Sequence, residues 1–202
     1  MQQLWDLFQT GGWVMYPLLA LSVISLTIFV ERWRFYRRAQ TNMSLIRCQF
    51  CAALHTGNAA KAKSTLDKAG GVVGSLMGDY LDVRDTLVNH DAWLELHGQQ
   101  VAANLKARLP LLSAIVTIAP LMGLLGTVTG MIQAFDVLSV TEGQPFAITG
   151  GVAEALVATA FGLLIAIVAM AFHVILEQKA TRLIEDVELA AGLLALHGGV
   201  NV

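Results

Sequence analysis

Charged residues are scarce in this sequence, and cysteine is almost absent from it. Charged side chains make up 14% of the 202 residues, whereas soluble domains carry about 25%. The two cysteines, Cys48 and Cys51, are too few for a disulfide framework. A net charge of −2 gives no indication of nucleic-acid binding. Since hydrophobic residues reach 55%, the composition predicts an integral membrane protein with a modest water-exposed part.

Three apolar segments are long enough to cross a bilayer: residues 13–30, 109–135 and 146–172. The first two carry no charge, and Glu154 is the only formal charge in the third. The first segment lacks both a preceding cation and a small-residue cleavage site, so we interpret it as a retained helix rather than a signal peptide.

Lysine and arginine are missing from residues 1–12 and 136–145. All thirteen lie between the first and second apolar segments or after the third. Because positive residues stay on the cytoplasmic side, we expect residues 1–12 and 136–145 to lie outside. Residues 31–108 and 173–202 are then cytoplasmic.

The cytoplasmic segments have helical patterns and few strand signals, so we predict an all-α protein. Helix 1 is expected to continue to about Gly57, and a short helix to run from the cap Asn58 to Gly70. A further helix is predicted from about Val72 to Leu109. The last helix is predicted to extend helix 3 to Gly198. About 70 cytoplasmic residues are few for an independent core, which favours self-association.

Polar residues mark one face of the second apolar segment. Ser113, Thr117, Pro120, Leu124 and Thr127 recur every three or four residues, as positions on one helix face do. This stripe suits a wall that faces water or a polar partner. The alternative is that each hydroxyl bonds the carbonyl four residues earlier in its own helix.

Small residues mark other faces of these helices. Gly126 and Gly130 form a close-packing pattern on another side of the second segment. In the third segment a mostly small face includes Ala155, Thr159 and Gly162, which permits close approach of another helix.

Glu154 lies roughly 12 Å into the third segment, at 1.5 Å per residue. An acid at a helix centre costs about 2.5 to 3.5 kcal/mol on insertion, so Glu154 is expected to face a cavity or a partner, or to be protonated. The alternative is a neutral acid that joins helices of an oligomer. Thr159 lies about 140° around the helix from Glu154, so the two cannot both face a pore squarely.

The stretches "APLMGLLGTVTGMIQAF" (Ala119 to Phe135) and "GGVAEALVATAFGLLIAI" (Gly150 to Ile167) together resemble the MotA/TolQ/ExbB proton-channel family. The stretch "GGWVMYPLLALSVISLTIFVERW" is similar to the first helix of its ExbB and TolQ branch. The resemblance covers all three apolar segments. One departure is Val168, where the family often has proline, so a kink at the inner end of helix 3 is in doubt.

The resemblance implies a bacterial inner-membrane protein with a periplasmic amino terminus and a cytoplasmic carboxyl terminus. It implies a ring, a pentamer, around membrane helices of an ExbD-like protein whose aspartate takes the proton. It associates Thr127, Glu154 and Thr159 with the proton path or the partner helix, and we add Ser113 and Thr117 to the expected pore lining. With a TonB-like protein, the assembly would energise TonB-dependent transport across an outer membrane.

Three other functions stay open: a TolQ-like subunit of the envelope system, a non-conducting scaffold for the partner, and a passive channel acting alone. No enzyme activity, cofactor or nucleic-acid partner is predicted. Cys48, Cys51 and His55 share a helix face, but without a fourth ligand two buried thiols are favoured over a metal site. The arginines after helix 1 are expected to contact acidic lipid headgroups.

Overall fold

The computed structural model describes residues 11–46, 48, 59–140 and 145–198, and its regular structure there is entirely helical. This bears out the all-α prediction for those ranges. The main helices are α1 (Met15–Ala39), α2 (Ala59–Ala69), α3 (Gly71–Val83), α4 (His90–Lys106), α5 (Leu109–Val140) and α6 (Pro145–Gly198).

Three of these helices, α1, α5 and α6, contain stretches that are long and apolar enough to cross a membrane. The protein is therefore a multi-pass membrane protein. Helix α6 is unbroken over its 54 residues, with Val168 inside it. Its end at Gly198 agrees with the predicted extension of the last helix.

The chain divides into two compact units. The membrane unit comprises the described residues up to 30 and from 108 to 175. The extramembrane unit comprises the described residues of 31–107 and those from 176 onward. All lysines and arginines of the sequence except Arg108 belong to the second unit's ranges, in keeping with its more polar character.

In the membrane unit, the start of α1 packs against α5 and α6. Val14, Met15 and Leu18 are buried in one cluster that also contains Ala119, Ile165 and Ala166. Further along α1, the ring of Phe29 stacks on that of Phe172 with centroids 4.1 Å apart. These contacts join the three apolar segments into one bundle.

The extramembrane unit has its own apolar core. Helices α2, α3 and α4 contribute buried side chains such as Leu66, Met77 and Leu94, and the last part of α6 adds Val187 and Leu194. We expected about 70 cytoplasmic residues to be few for an independent core, and the structure shows that the end of α6 contributes to the one they form.

Helix α1 ends at Ala39, not near Gly57 as predicted. Two tertiary hydrogen bonds hold the chain just after Ala39. The Asn42 amide donates to the Ala69 carbonyl at 3.1 Å. The Val73 amide donates to the Thr41 hydroxyl at 3.2 Å. The Asn42 amide thus bonds outside α1, and the Thr41 hydroxyl accepts from the first turn of α3, so the chain leaves the helix after Ala39.

The predicted helix from Val72 to Leu109 is also wrong, because it is interrupted twice. A 3-10 turn, Arg84–Thr86, follows α3. Asn89 then starts α4 by accepting the Ala92 amide at 3.0 Å, as an N-cap does. The second break lies at Arg108, whose φ is +70°. Pro110 lacks an amide hydrogen and is better placed in the first turn of a new helix than inside an old one.

The short helix expected before Gly70 is present as α2, although its predicted cap Asn58 lies outside the described residues. Gly70 and Gly71 have φ of +59° and +68°. Such values favour glycine, so the pair ends α2 and turns the chain into α3.

Two side chains of α1 bind the carboxyl end of α4. The Tyr36 hydroxyl donates to the Leu105 carbonyl at 2.7 Å, and Arg32 Nη1 donates to the Asn104 carbonyl at 3.1 Å. The last carbonyls of a helix lack intrahelical partners, so these bonds satisfy them. Burial raises the pKa of Tyr36, although the nearby Arg32 opposes the effect.

Replacing Tyr36 with phenylalanine is expected to lower the free energy of unfolding by about 1 to 2 kcal/mol, because a buried carbonyl loses its donor. Thermal unfolding in detergent measures this. The control is Tyr80→Phe, whose hydroxyl bonds the half-buried His90 ring at 3.1 Å. Water can reach that partner, so the loss should be smaller; equal losses would contradict the prediction.

Candidate functional site

Helices α5 and α6 approach each other closely through glycine. A Cβ atom built on Gly126 would lie 2.5 Å from the Ala158 Cβ, and one on Gly130 would lie 3.1 Å from the Ala155 Cβ. A Cβ on Gly162 would lie 2.7 Å from the carbonyl oxygen of Ala119. The residues expected to pack helices are thus buried between α5 and α6.

Glu154 lies next to this contact, one residue before Ala155, and its side chain is half-buried. Its carboxylate is directly against the backbone of Gly12, where a Cβ atom would overlap an acid oxygen. Gly12 has φ of +69°, in the region that favours glycine. The turn before α1 therefore makes room for the acid.

The start of α1 also reaches the glycine contact. A Cβ atom on Gly126 would be 3.6 Å from Cγ1 of Val14. One part of the membrane unit therefore contains Glu154, the segment from Gly12 to Val14, and residues 126–130. Thr127 lies in the same part, because it directly follows Gly126 in α5.

The predicted hydroxyl residues have two kinds of partner. Thr159 donates to the Gly123 carbonyl of α5 at 2.9 Å, so it links the two helices. Thr127 donates to the Leu124 carbonyl at 2.6 Å, and Thr117 to the Ser113 carbonyl at 3.3 Å. Thr117 makes the bond to the carbonyl four residues earlier that we considered as the alternative, whereas Thr127 bonds the carbonyl three residues earlier in the same helix.

The polar stripe of α5 faces away from the bundle of its own chain. Ser113, Thr117 and Leu124 are exposed, whereas Pro120 and Thr127 are half-buried. A hydroxyl that donates to its own helix still has acceptor lone pairs, so this face keeps some polarity. In the single chain, the stripe is open to lipid, water or another protein.

The sequence model of the MotA/TolQ/ExbB proton channel family matches residues 80–189, which include Glu154 and the facing parts of α5 and α6 but not Gly12. The chain belongs to that family. It is 33% identical to the biopolymer transport protein ExbB-like 1 of Synechocystis sp., over 83% of this chain and 68% of that protein. It is 30% identical to ExbB-like 3 of the same organism, over 80% of this chain and 79% of that protein.

Proteins named TolQ are also similar to this chain. The Tol-Pal system protein TolQ of Pseudomonas aeruginosa is 29% identical over 78% of this chain and 74% of that protein. The chain is therefore a proton-channel subunit of the ExbB/TolQ type. The family is one of membrane channels and not a known enzyme family.

In the part of the chain that the structure describes, no group of three or more potential metal ligands lies together. The expectation of a buried thiol is wrong for Cys48, which is exposed. Cys51 and His55 lie outside the described residues. His97 stacks on Trp93 with centroids 3.8 Å apart, and its Nδ1 lies 2.9 Å from the Trp93 carbonyl oxygen. Both His90 and His97 thus contribute to packing in the extramembrane unit.

Sequence reasoning missed Gly12 as a neighbour of Glu154. The two positions are 142 residues apart, and a Gly-Gly pair before an apolar segment indicates only a turn. Periodicity describes one helix at a time, so it does not show which loop covers an acid on another helix.

Proposed function

We propose that this chain is the ExbB-like subunit of an inner-membrane motor driven by the proton-motive force. Several copies, five by family resemblance, form a ring around membrane helices of an ExbD-like protein. Together with a TonB-like protein the assembly energises TonB-dependent transport across the outer membrane. The observation that carries this proposal is the half-buried Glu154 in an otherwise uncharged part of the membrane unit.

An intramembrane acid is costly, and such residues usually mark an ion path or a functional partner. Glu154 is the only formal charge in residues 13–30, 109–135 and 146–172. One acid cannot carry protons across about 30 Å of hydrocarbon. A second carboxylate must then come from another protein, which supports a partner with an acidic residue in its single span.

The outward-facing stripe of α5 supports a ring of copies. Ser113 and Thr117 are exposed in the single chain and would be poorly placed against lipid. In a ring, the same face would line the lumen with Thr127. Thr159 would act beside the path, because its hydroxyl already bonds Gly123. The absence of lysine and arginine from residues 1–12 and 136–145 supports a periplasmic position for both.

The second candidate is a TolQ-like subunit of the Tol-Pal envelope system. It is favoured by the match to Pseudomonas aeruginosa TolQ over 78% of this chain. The site chemistry would be the same for both. The two candidates differ in the process that fails when the chain is removed from its host: uptake of large substrates, or envelope integrity at division.

The test is purification of the full chain from its native membrane, followed by reconstitution into liposomes. We expect a one-span protein with an acidic residue in its span to co-purify, and proton flux to require both proteins. Large flux through the chain alone would instead indicate a passive channel. A stable complex that supports energised transport without any proton flux would indicate a scaffold. Either result would overturn the motor proposal.

A further inference from the structure

A groove lies between α4 and the last part of α6 in the extramembrane unit, with a volume of about 430 Å³. Leu94 and Val187 are buried at its apolar floor. Gly98 of α4 and Gly192 of α6 also line it, and neither carries a side chain. A groove with such a floor admits the apolar side chains of another helix at close range.

The rim of this groove is acidic. Asp91, Glu95 and Glu188 line it, all three are exposed, and none of the lining residues is a cation. The salt bridges from Lys63 to Asp82 and from Arg84 to Asp85 do not involve the rim. Glu95 accepts a hydrogen bond from Gln99 at 3.2 Å. The groove therefore favours an occupant that is both apolar and cationic.

The same unit presents a segment of that chemistry. Arg34, Arg37 and Arg38 are exposed on the inner part of α1. The apolar ring of Phe35 lies between them in sequence and is 39% exposed. We call residues 34–38 the basic segment. Its three exposed cations match the three carboxylates of the rim in number and opposite sign.

The basic segment and the groove lie beside neighbouring turns of α4. Tyr36 and Arg32 bond the carbonyls of Leu105 and Asn104, so the basic segment lies beside the last turn of α4. The groove begins at Ala102, about one turn further back along α4. In a ring of copies, the basic segment of one copy can therefore approach the Ala102 end of this groove in the next.

We propose that the groove between α4 and α6 receives the basic segment of a second copy of this chain. Arg37 and Arg38 of one copy pair with Glu95 and Glu188 of the next, while Phe35 reaches the apolar floor. Because two different surfaces meet, the contact is heterologous, and it forms a ring when its repeated rotation closes. The inference rests on the self-association that the proposed function requires.

Cross-linking between two differently tagged copies tests the contact. Both copies carry Cys48→Ser and Cys51→Ser; one adds Arg38→Cys and the other Glu188→Cys. We expect a cross-linked product that carries both tags when the two are expressed together, and none from either copy alone. A matched control replaces Arg38→Cys with Arg84→Cys, another exposed arginine of the unit, and should give no product.

Charge reversal provides an independent measurement on the full chain. Glu95→Arg with Glu188→Arg, or Arg37→Glu with Arg38→Glu, should weaken self-association about tenfold or more, because like charges then meet. The chain with all four substitutions should recover it. Lys68→Glu, at an exposed lysine of α2, should leave self-association unchanged.

Self-association without the cross-link, or without any effect of charge reversal, would overturn the groove contact and leave the motor proposal standing. Loss of another co-purifying protein or of anionic lipid, with self-association intact, would likewise overturn it and assign the groove to that occupant. A chain that stays monomeric in its native membrane would contradict both proposals.

Discussion

Glu154→Gln is expected to reduce proton-driven work of the assembly by about 100-fold or more, while the protein still inserts and assembles. Glutamine has nearly the shape of glutamate and fits the same place against Gly12. It cannot release or accept a proton at neutral pH, so only the chemistry changes. The measurement is proton flux and energised transport, normalised to the amount of complex in the membrane.

Asp136→Asn is the matched control, because Asp136 is an exposed acid near the carboxyl end of α5. It should retain most of the activity. Glu154→Asp should be intermediate, since the shorter side chain keeps the charge but withdraws it from Gly12. Full transport by the glutamine variant would remove Glu154 from the proton path and favour its alternative role as a neutral link between helices.

Gly162→Leu is expected to prevent the membrane unit from packing, and little folded protein should reach the membrane. Even a Cβ atom at this position would lie 2.7 Å from the Ala119 carbonyl oxygen and 2.9 Å from the Cα of Gly123. Both atoms are backbone, so neither can move aside as a flexible side chain could. Overpacking typically costs about 1 to 3 kcal/mol, and backbone clashes cost more. Yield, protease resistance and thermal unfolding in detergent measure the effect.

Gly150→Leu is the control, because a Cβ atom there meets nothing within 4 Å. It tests whether a large residue in α6 is harmful in itself. The two glycine variants should differ in the amount of folded protein, whereas the Glu154 variant should differ from the original protein only in activity. Normal folding of Gly162→Leu would show that α5 and α6 can separate at this level at little cost.

The apolar segments could be predicted from the sequence because hydrophobic length alone defines them. Gly126, Gly130 and Gly162 were likewise recognisable as packing positions, since their spacing belongs to one helix at a time. The end of α1 at Ala39 could not be predicted, because it depends on Thr41 and Asn42 bonding a distant part of the chain. Local propensity carries no information about such tertiary bonds.

The candidate site was also predictable only in part. Glu154 could be identified from the sequence because charge is rare in its surroundings. The hydrogen bond from Thr159 could not be predicted, because the Gly123 carbonyl becomes available only when glycine lets α6 approach α5. The core of the extramembrane unit also needed the structure, since Val187 and Leu194 join it from the far end of the chain.

The contact between Gly12 and Glu154 has a consequence for how relatives of this chain can vary. Any residue with a Cβ atom at position 12 would occupy the volume that the acid now fills. Alanine there would also be strained at φ of +69°, so a relative that replaces Gly12 should both turn the chain differently before α1 and hold the side chain of residue 154 elsewhere. The two positions are expected to vary together, although 141 residues separate them in the sequence.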